Sequence, residues 1–170
     1  MQSLIVQGTA VGTIFLQIVF VGILFTWIIN IRPIIEYIKK HGDLFVCLLS
    51  LGSIIGSLLY SLVLSFPPCD LCWYQRIALY PLVIIFGYGY IKKTDLFLIP
   101  GIILSSIGVI IAFWHNALFW FNASTSPCGT GTSCLLEYVR EFGYVTIPVM
   151  SLTIAALITL ILIIRLRENN

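Results

Sequence analysis

The sequence predicts an all-α integral membrane protein, and three observations predict it. Of 170 residues, 59% are hydrophobic and only 9% are charged, against roughly 25% charged in a soluble domain. The charges are bunched rather than dispersed. Between them lie uncharged runs covering Met1–Cys69 apart from a polar patch at 32–43, then Ile77–Ile91, Leu96–Leu136 and Phe142–Ile164. A span needs about 20 apolar residues at about 1.5 Å each, so these runs divide into five candidate spans at about 5–31, 44–66, 72–91, 96–120 and 144–164.

The first span has no Lys or Arg before Arg32. That argues against a cleaved signal sequence, which wants a positive n-region, and against the rival four-span reading. The second carries Gly52, Ser53, Gly56 and Ser57 as overlapping small pairs, and the fourth carries Gly101, Ser105, Gly108 and Ala112. Both patterns are expected to let helices approach closely. The third span is the weakest, because it is long enough only if Arg76 lies at or just inside the interface. Arg32, Lys39, Lys40, Lys92, Lys93, Arg165 and Arg167 all fall on one side if five spans alternate. The positive-inside rule makes that side cytoplasmic, so the loops at 66–72 and 121–143 face outward from a multi-pass protein of the cell membrane. The net charge of +2 follows from these anchors. No nucleic-acid patch, phosphate-binding glycine loop or repeat is present.

Four of the five cysteines then stand on the oxidising side: Cys69 and Cys72 at the mouth of the third span, Cys128 and Cys134 in the second outward loop. Four cysteines permit three pairings. Spacing makes 69 with 72 and 128 with 134 the local ones without choosing among them. Cys47, inside the second span, reads as a small buried packing residue.

The stretch "PPCDLCWYQR", residues 67–76, concentrates the chemistry. Pro67 and Pro68 suit a helix start near Pro68, which puts Cys69 in the first turn, where free N–H groups and the helix dipole favour a thiolate. Asp70 opposes that effect locally. Arg76 lies four residues after Cys72, on the same helical face, and its permanent charge can hold an anion beside Cys72. Structural disulfides, or a zinc site of Cys69, Cys72, Cys128 and Cys134, are the alternatives for the cysteines, and interface snorkelling is the alternative for Arg76. No metal is expected, since an exterior face favours disulfides. His115, in "FWHNALFWF", reads either as a polar ring in an aromatic belt or, since an antiparallel neighbour brings it to about the depth of Arg76, as a group lining the same site. Trp73, Tyr74, Trp114 and Trp120 read first as interface anchors.

"CDLCWYQR" followed by "YP", with "PCGTGTSC" and "EYVREFGYVTIP" downstream, resembles the DsbB family of membrane thiol oxidases, especially its BdbC-type members. The resemblance covers roughly 44–165. It implies a four-helix transmembrane bundle with redox function over 44–170, and leaves residues 1–43 as one extra N-terminal transmembrane helix and cytoplasmic linker. It further implies a relay that reoxidises an extracytoplasmic thioredoxin-fold, DsbA-like dithiol oxidase and passes the electrons to membrane quinone, menaquinone or ubiquinone; the physical chemistry of such a DsbA–DsbB–quinone chain is itself a general example of kinetically maintained oxidation. By that resemblance the partner's thiolate attacks Cys128, Cys134 attacks Cys69, and Cys72 is released as the thiolate that meets the quinone, with Arg76 stabilising negative charge and His115 expected beside them at the quinone. Gly129 and Gly131 would make the outward loop pliable. The alternative is a non-catalytic membrane interaction protein with two structural disulfides.

Overall fold

The computed structural model describes residues 2–121, 134 and 137–169. The described residues form five α-helices: α1 (Gln2–Ile28), α2 (Arg32–Leu58), α3 (Asp70–Lys92), α4 (Leu98–Trp120) and α5 (Ile147–Asn169), with a π-helical segment, Leu59–Val63, continuing α2. Beyond one isolated bridge between Glu141 and Val145, no strand occurs among them. The fold is the all-helical membrane bundle the composition requires. Helices α2, α3, α4 and α5 close a ring, each packed on its chain neighbour and α5 back on α2, while α1 lies outside the ring, mainly against α5. Of the most apolar stretch of α5, 56% is buried, against 6% for α1. A helix apolar on every face can meet lipid or other helices alike, and α5 is enclosed because α4, α2 and α1 all pack on it.

Among the described residues four helices are long and apolar enough to cross a membrane: α1, α2 with its π-helical continuation, α4 and α5. Helix α3 has the length, 23 residues, but Asp70, Gln75, Arg76 and its tyrosines dilute its hydropathy, as the weak third span foreshadowed. The polar patch at 32–43, expected as a linker, is helical and forms the opening turns of α2. Pro33 suits that start, because its missing N–H would be unbonded in a first turn. A tight corner joins α1 to α2: Asn30 takes φ 62°, and the Ile31 N–H donates to the Thr26 carbonyl at 2.9 Å.

The small stripe on α4 does what such a stripe should. A Cβ at Gly101 would collide with the Phe86 ring, whereas one at Gly108 would meet Leu79 Cδ2 at an ordinary 3.4 Å, so the close approach of α3 to α4 depends on Gly101. The stripe on α2 behaves differently. A Cβ at Gly52 or Gly56 would meet nothing within 4 Å, and both glycines line a cavity instead.

The basic residues gather at the bundle end opposite the cysteines. Lys39 Nζ donates to the Glu168 carbonyl at 2.5 Å, Arg32 lies 3.7 Å from the Glu168 carboxylate, and the Arg167 guanidinium sits over the Trp27 ring. Arg165, read from sequence as a membrane anchor, is only 5% exposed. It pairs with Asp43 of α2 and, at 2.7 Å, with Asp95 before α4. Burying a guanidinium requires such partners, and Gly42 makes room, since a Cβ there would collide with the Arg165 side chain.

Candidate functional site

Local sequence chemistry brings the two cysteine regions to one end of the bundle. After the π-helical segment the chain turns through Ser65 at φ 56°. Pro67 and Pro68 then hold it out of helix, since a residue before proline avoids the α region. Helix α3 therefore starts at Asp70, and Cys69 is its N-cap in extended conformation (φ −77°, ψ 171°) rather than a first-turn residue. The Cys69 carbonyl accepts the Trp73 N–H at 3.1 Å. Cys72, one turn on, has its sulfur 2.8 Å from that of Cys69, within easy reach of a disulfide.

His115 links this pair to the second one. It is 2% exposed, and its Nε2 lies 3.2 Å from the Cys134 carbonyl and 3.9 Å from Cys69 Sγ. Gln75 Nε2 approaches its Nδ1 at 3.3 Å. A tautomer protonated at Nε2 points its one hydrogen at the Cys134 carbonyl with Cys69 Sγ alongside, and leaves Nδ1 to accept from the Gln75 amide. A glutamine within a span needs a partner, and His115 is that partner. Sequence reasoning passed over Gln75. The available signal was its position, three residues after Cys72 and hence on a neighbouring face of α3.

Cys134 is disulfide-bonded and buried at 2% exposure, whereas Cys47, Cys69 and Cys72 are free thiols. Cys128, with Gly129 and Gly131, lies outside the described residues. Cys47 points its thiol at the Val83 carbonyl, 3.6 Å away in the α2–α3 interface. Ahead of the third span, the Cys69 thiol is lowered to about 4: the hydrogen bond from Cys72 favours its thiolate, burial opposes this, and His115 adds to it.

Arg76 lines the same cavity as Cys72, but its hydrogen bonds go to the neighbouring helix. Nε donates to Ser57 Oγ at 2.8 Å, and Nη2 donates to the Ser57 carbonyl at 3.2 Å and to Ser61 Oγ at 3.0 Å. The guanidinium carbon also sits 5.0 Å from the Trp73 ring centroid. The arginine thus stays charged inside the bundle by gathering serine oxygens, which explains how α3 submerges it. Trp73, Trp114 and Trp120 are more than half exposed, as is Tyr74, in keeping with anchors at a lipid interface.

Around these groups is a cavity of about 450 Å³. Cys69, Cys72, Gln75, Arg76 and His115 occupy one region of its wall, and Leu16, Leu48, Leu49, Leu79 and Ile154 make another part apolar. Tyr80, one turn beyond Arg76, also lines it, and its buried hydroxyl has no hydrogen-bond partner among the described residues. A largely apolar cleft with few convergent polar groups is the ordinary form of a small-molecule site. The donor atoms of Cys69, Cys72 and His115 lie within 4.8 Å of one another, which is also a geometry for a soft metal ion. That set differs from the four thiolates considered from sequence, and ligation through Nε2 would cost the bond to Cys134.

Known proteins are similar to this chain over most of its length. The family model described as "Disulfide bond formation protein DsbB" matches residues 39–165. A "Probable disulfide formation protein" of Oceanobacillus iheyensis is 37% identical over 121 residues, covering 69% of this chain and 83% of the relative. The "SPbeta prophage-derived disulfide bond formation protein B" of Bacillus subtilis is 42% identical over 124 residues, covering 72% of this chain and 83% of the relative. A "Probable disulfide formation protein C" of Halalkalibacterium halodurans is 33% identical over 124 residues, covering 72% of this chain and 90% of the relative. No solved structure matches the chain.

Proposed function

The chain belongs to the DsbB family of membrane disulfide-formation proteins, and from that premise we propose that it is a thiol:quinone oxidoreductase which reoxidises an extracytoplasmic thioredoxin-fold dithiol oxidase. The observation that carries the reading is His115, whose Nε2 lies between Cys69 Sγ and the Cys134 carbonyl. It makes the two cysteine pairs neighbours, as a relay requires and two independent structural disulfides do not.

In this reading the partner's thiolate attacks Cys128 of a Cys128–Cys134 disulfide, and Cys134 leaves as a thiolate. Cys134 attacks Cys69 of a Cys69–Cys72 disulfide, and Cys72 leaves in turn. The partner's second thiol then displaces Cys128, so the partner departs oxidised. Once Cys69 is drawn to Cys134, Cys72 loses its hydrogen-bonding partner and keeps its charge, with Arg76 on the same cavity wall. Cys128 then recovers Cys134 and frees Cys69, which closes on Cys72; the two electrons released as that disulfide forms would pass to quinone, which with two protons would leave as quinol. The balance is one dithiol oxidised for one quinone reduced.

The residues present suit that acceptor. The apolar wall accommodates a hydrophobic molecule, Arg76 offers positive charge, and the unpartnered Tyr80 hydroxyl offers a donor to a ring oxygen. His115 and Gln75 are positioning residues, holding Cys69 and Cys134 together. Seven basic residues at the far end favour cysteines on the extracytoplasmic face of the cytoplasmic membrane. The test is turnover in detergent with a reduced thioredoxin-fold protein and added quinone. One quinone consumed per dithiol, lost in Cys72→Ser, is expected. Dithiol oxidation at an unchanged rate without quinone under anaerobic conditions would refute the reading.

A further inference from the structure

Helix α1 precedes the family match, which begins at residue 39, yet Thr9, Gly12, Thr13, Phe15 and Leu16 form part of the cavity wall. We propose that α1 and α2 frame a lateral slot through which the apolar tail of the quinone passes into the bilayer, so that α1 selects quinones by their tails. This rests on the quinone-linked reading above and adds a subsite to it.

The packing of α1 makes the slot. The helix leans on α5, with a smaller contact on α2, and Gln17 fixes it there by hydrogen bonds to Thr153 Oγ1 at 3.2 Å and Tyr144 OH at 2.7 Å. It meets α2 at two ends. Towards the cysteines, Thr9 Oγ1 is 2.5 Å from Tyr60 OH; at the other end the corner at 29–31 joins the two helices. Between those closures three of the lining positions, Gly12, Gly52 and Gly56, are glycines. A Cβ on Gly12, Gly52 or Gly56 would meet nothing within 4 Å, and Gly12, Phe15, Leu48 and Gly52 are exposed while lining the cavity. Exposure on a spanning helix is exposure to lipid, so the cavity opens sideways into the membrane. From Tyr60 to Leu48 the slot runs about 18 Å along α2 at about 1.5 Å per residue. That shape fits a linear hydrocarbon chain better than a protein segment, whose backbone amides would find few partners there.

A head group near Cys72, Arg76 and Tyr80 would send its tail between Gly12 and Gly52. Filling the slot should therefore penalise the tail and spare the ring. The experiment compares Gly12→Trp and Gly56→Trp with Gly22→Trp, a control on α1 that does not line the cavity and whose Cβ would also meet nothing within 4 Å. Electron donor is dithiothreitol, and the acceptors are menaquinone-4 and menadione, which share a ring and differ in the tail. For both slot variants KM for menaquinone-4 should rise about tenfold or more, the cost of leaving two or so tail carbons unburied, while KM for menadione stays near wild type. Gly22→Trp should change neither. Single-turnover exchange with the soluble dithiol verifies folding of each variant, and Gly12→Leu, a smaller plug, should give an intermediate KM. Equal shifts for both quinones, or none, in variants that still exchange thiols would overturn the slot while leaving quinone reduction intact. A wild-type protein that reduces neither quinone would overturn the underlying reading and the slot with it.

Discussion

Replacing Arg76 by Gln separates the two halves of the proposed chemistry. In the structure the guanidinium makes three hydrogen bonds to Ser57 and Ser61, at 2.8 to 3.2 Å, and it faces the cavity shared with Cys72. Ser61 Oγ also donates to the Ser57 carbonyl at 2.9 Å, so the serines keep part of their bonding when the arginine is lost. A hydrogen bond to a charged group contributes about 1.5–3 kcal/mol. If one such interaction with negative charge on Cys72 or the quinone oxygen is lost, kcat/KM for quinone should fall about tenfold to a hundredfold. Stability should fall too, because the tie from α3 to α2 weakens. The assay is quinone-linked turnover at several quinone concentrations, beside single-turnover exchange with a soluble dithiol, which should continue at the wild-type rate. Arg76→Lys should fall between, since the charge survives but a single ammonium cannot span Ser57 and Ser61 as the planar fork does. Wild-type quinone kinetics in a thermally weakened Arg76→Gln protein would refute the electrostatic role and leave Arg76 as a structural tie.

Cys47 packs between α2 and α3 away from the site, so Cys47→Ala should leave dithiol oxidation unchanged and lower thermal stability modestly; lost turnover in the folded variant would contradict this. The lowered pKa of Cys69 has a definite sign: its thiolate persists above about 4 and is lost as pH falls through that value. Iodoacetamide labelling of reduced Cys69, mapped by mass spectrometry, should therefore be nearly constant from pH 8 to pH 5, and His115→Ala should shift the fall to higher pH. A labelling rate climbing about tenfold per unit up to pH 8, as for an ordinary thiol, would rule the thiolate out. Single cysteines at positions 3 and 128 should react with an impermeant probe from outside intact cells, and those at 41, 94 and 169 should not; labelling of position 3 only after permeabilisation would reverse α1.

The helices were legible because apolar runs of span length admit few other structures, and the one weak span, α3, is weak for a visible reason in Gln75 and Arg76. The chemistry-bearing side chains were legible by type, since Cys, Arg and His are costly in lipid. Their partners were not. Arg76 was expected beside Cys72 and is bonded to Ser57 and Ser61, because only the packed bundle brings α2 within its reach. The glycine patterns of α2 and α4 look alike in sequence, yet Gly101 admits the Phe86 ring and Gly52 faces a cavity. A small residue records that space is needed without recording what fills it. Likewise Arg165 read as an exposed anchor, because nothing local signals that Asp43 and Asp95, distant in sequence, enclose it. The π-helical segment beside the site, where Tyr60 is buried against Thr9, had no signature in its residues.

The relay itself is tested most directly by trapping the bond between the two pairs. In a Cys72→Ser, Cys128→Ser variant, Cys134 and Cys69 have lost their usual partners but keep His115 between them. Mass spectrometry of unreduced peptides, after mild oxidation, should find a disulfide joining Cys69 to Cys134 in most of the protein. Free thiols at both positions in the folded variant would contradict the account and leave the cysteines as two separate structural pairs.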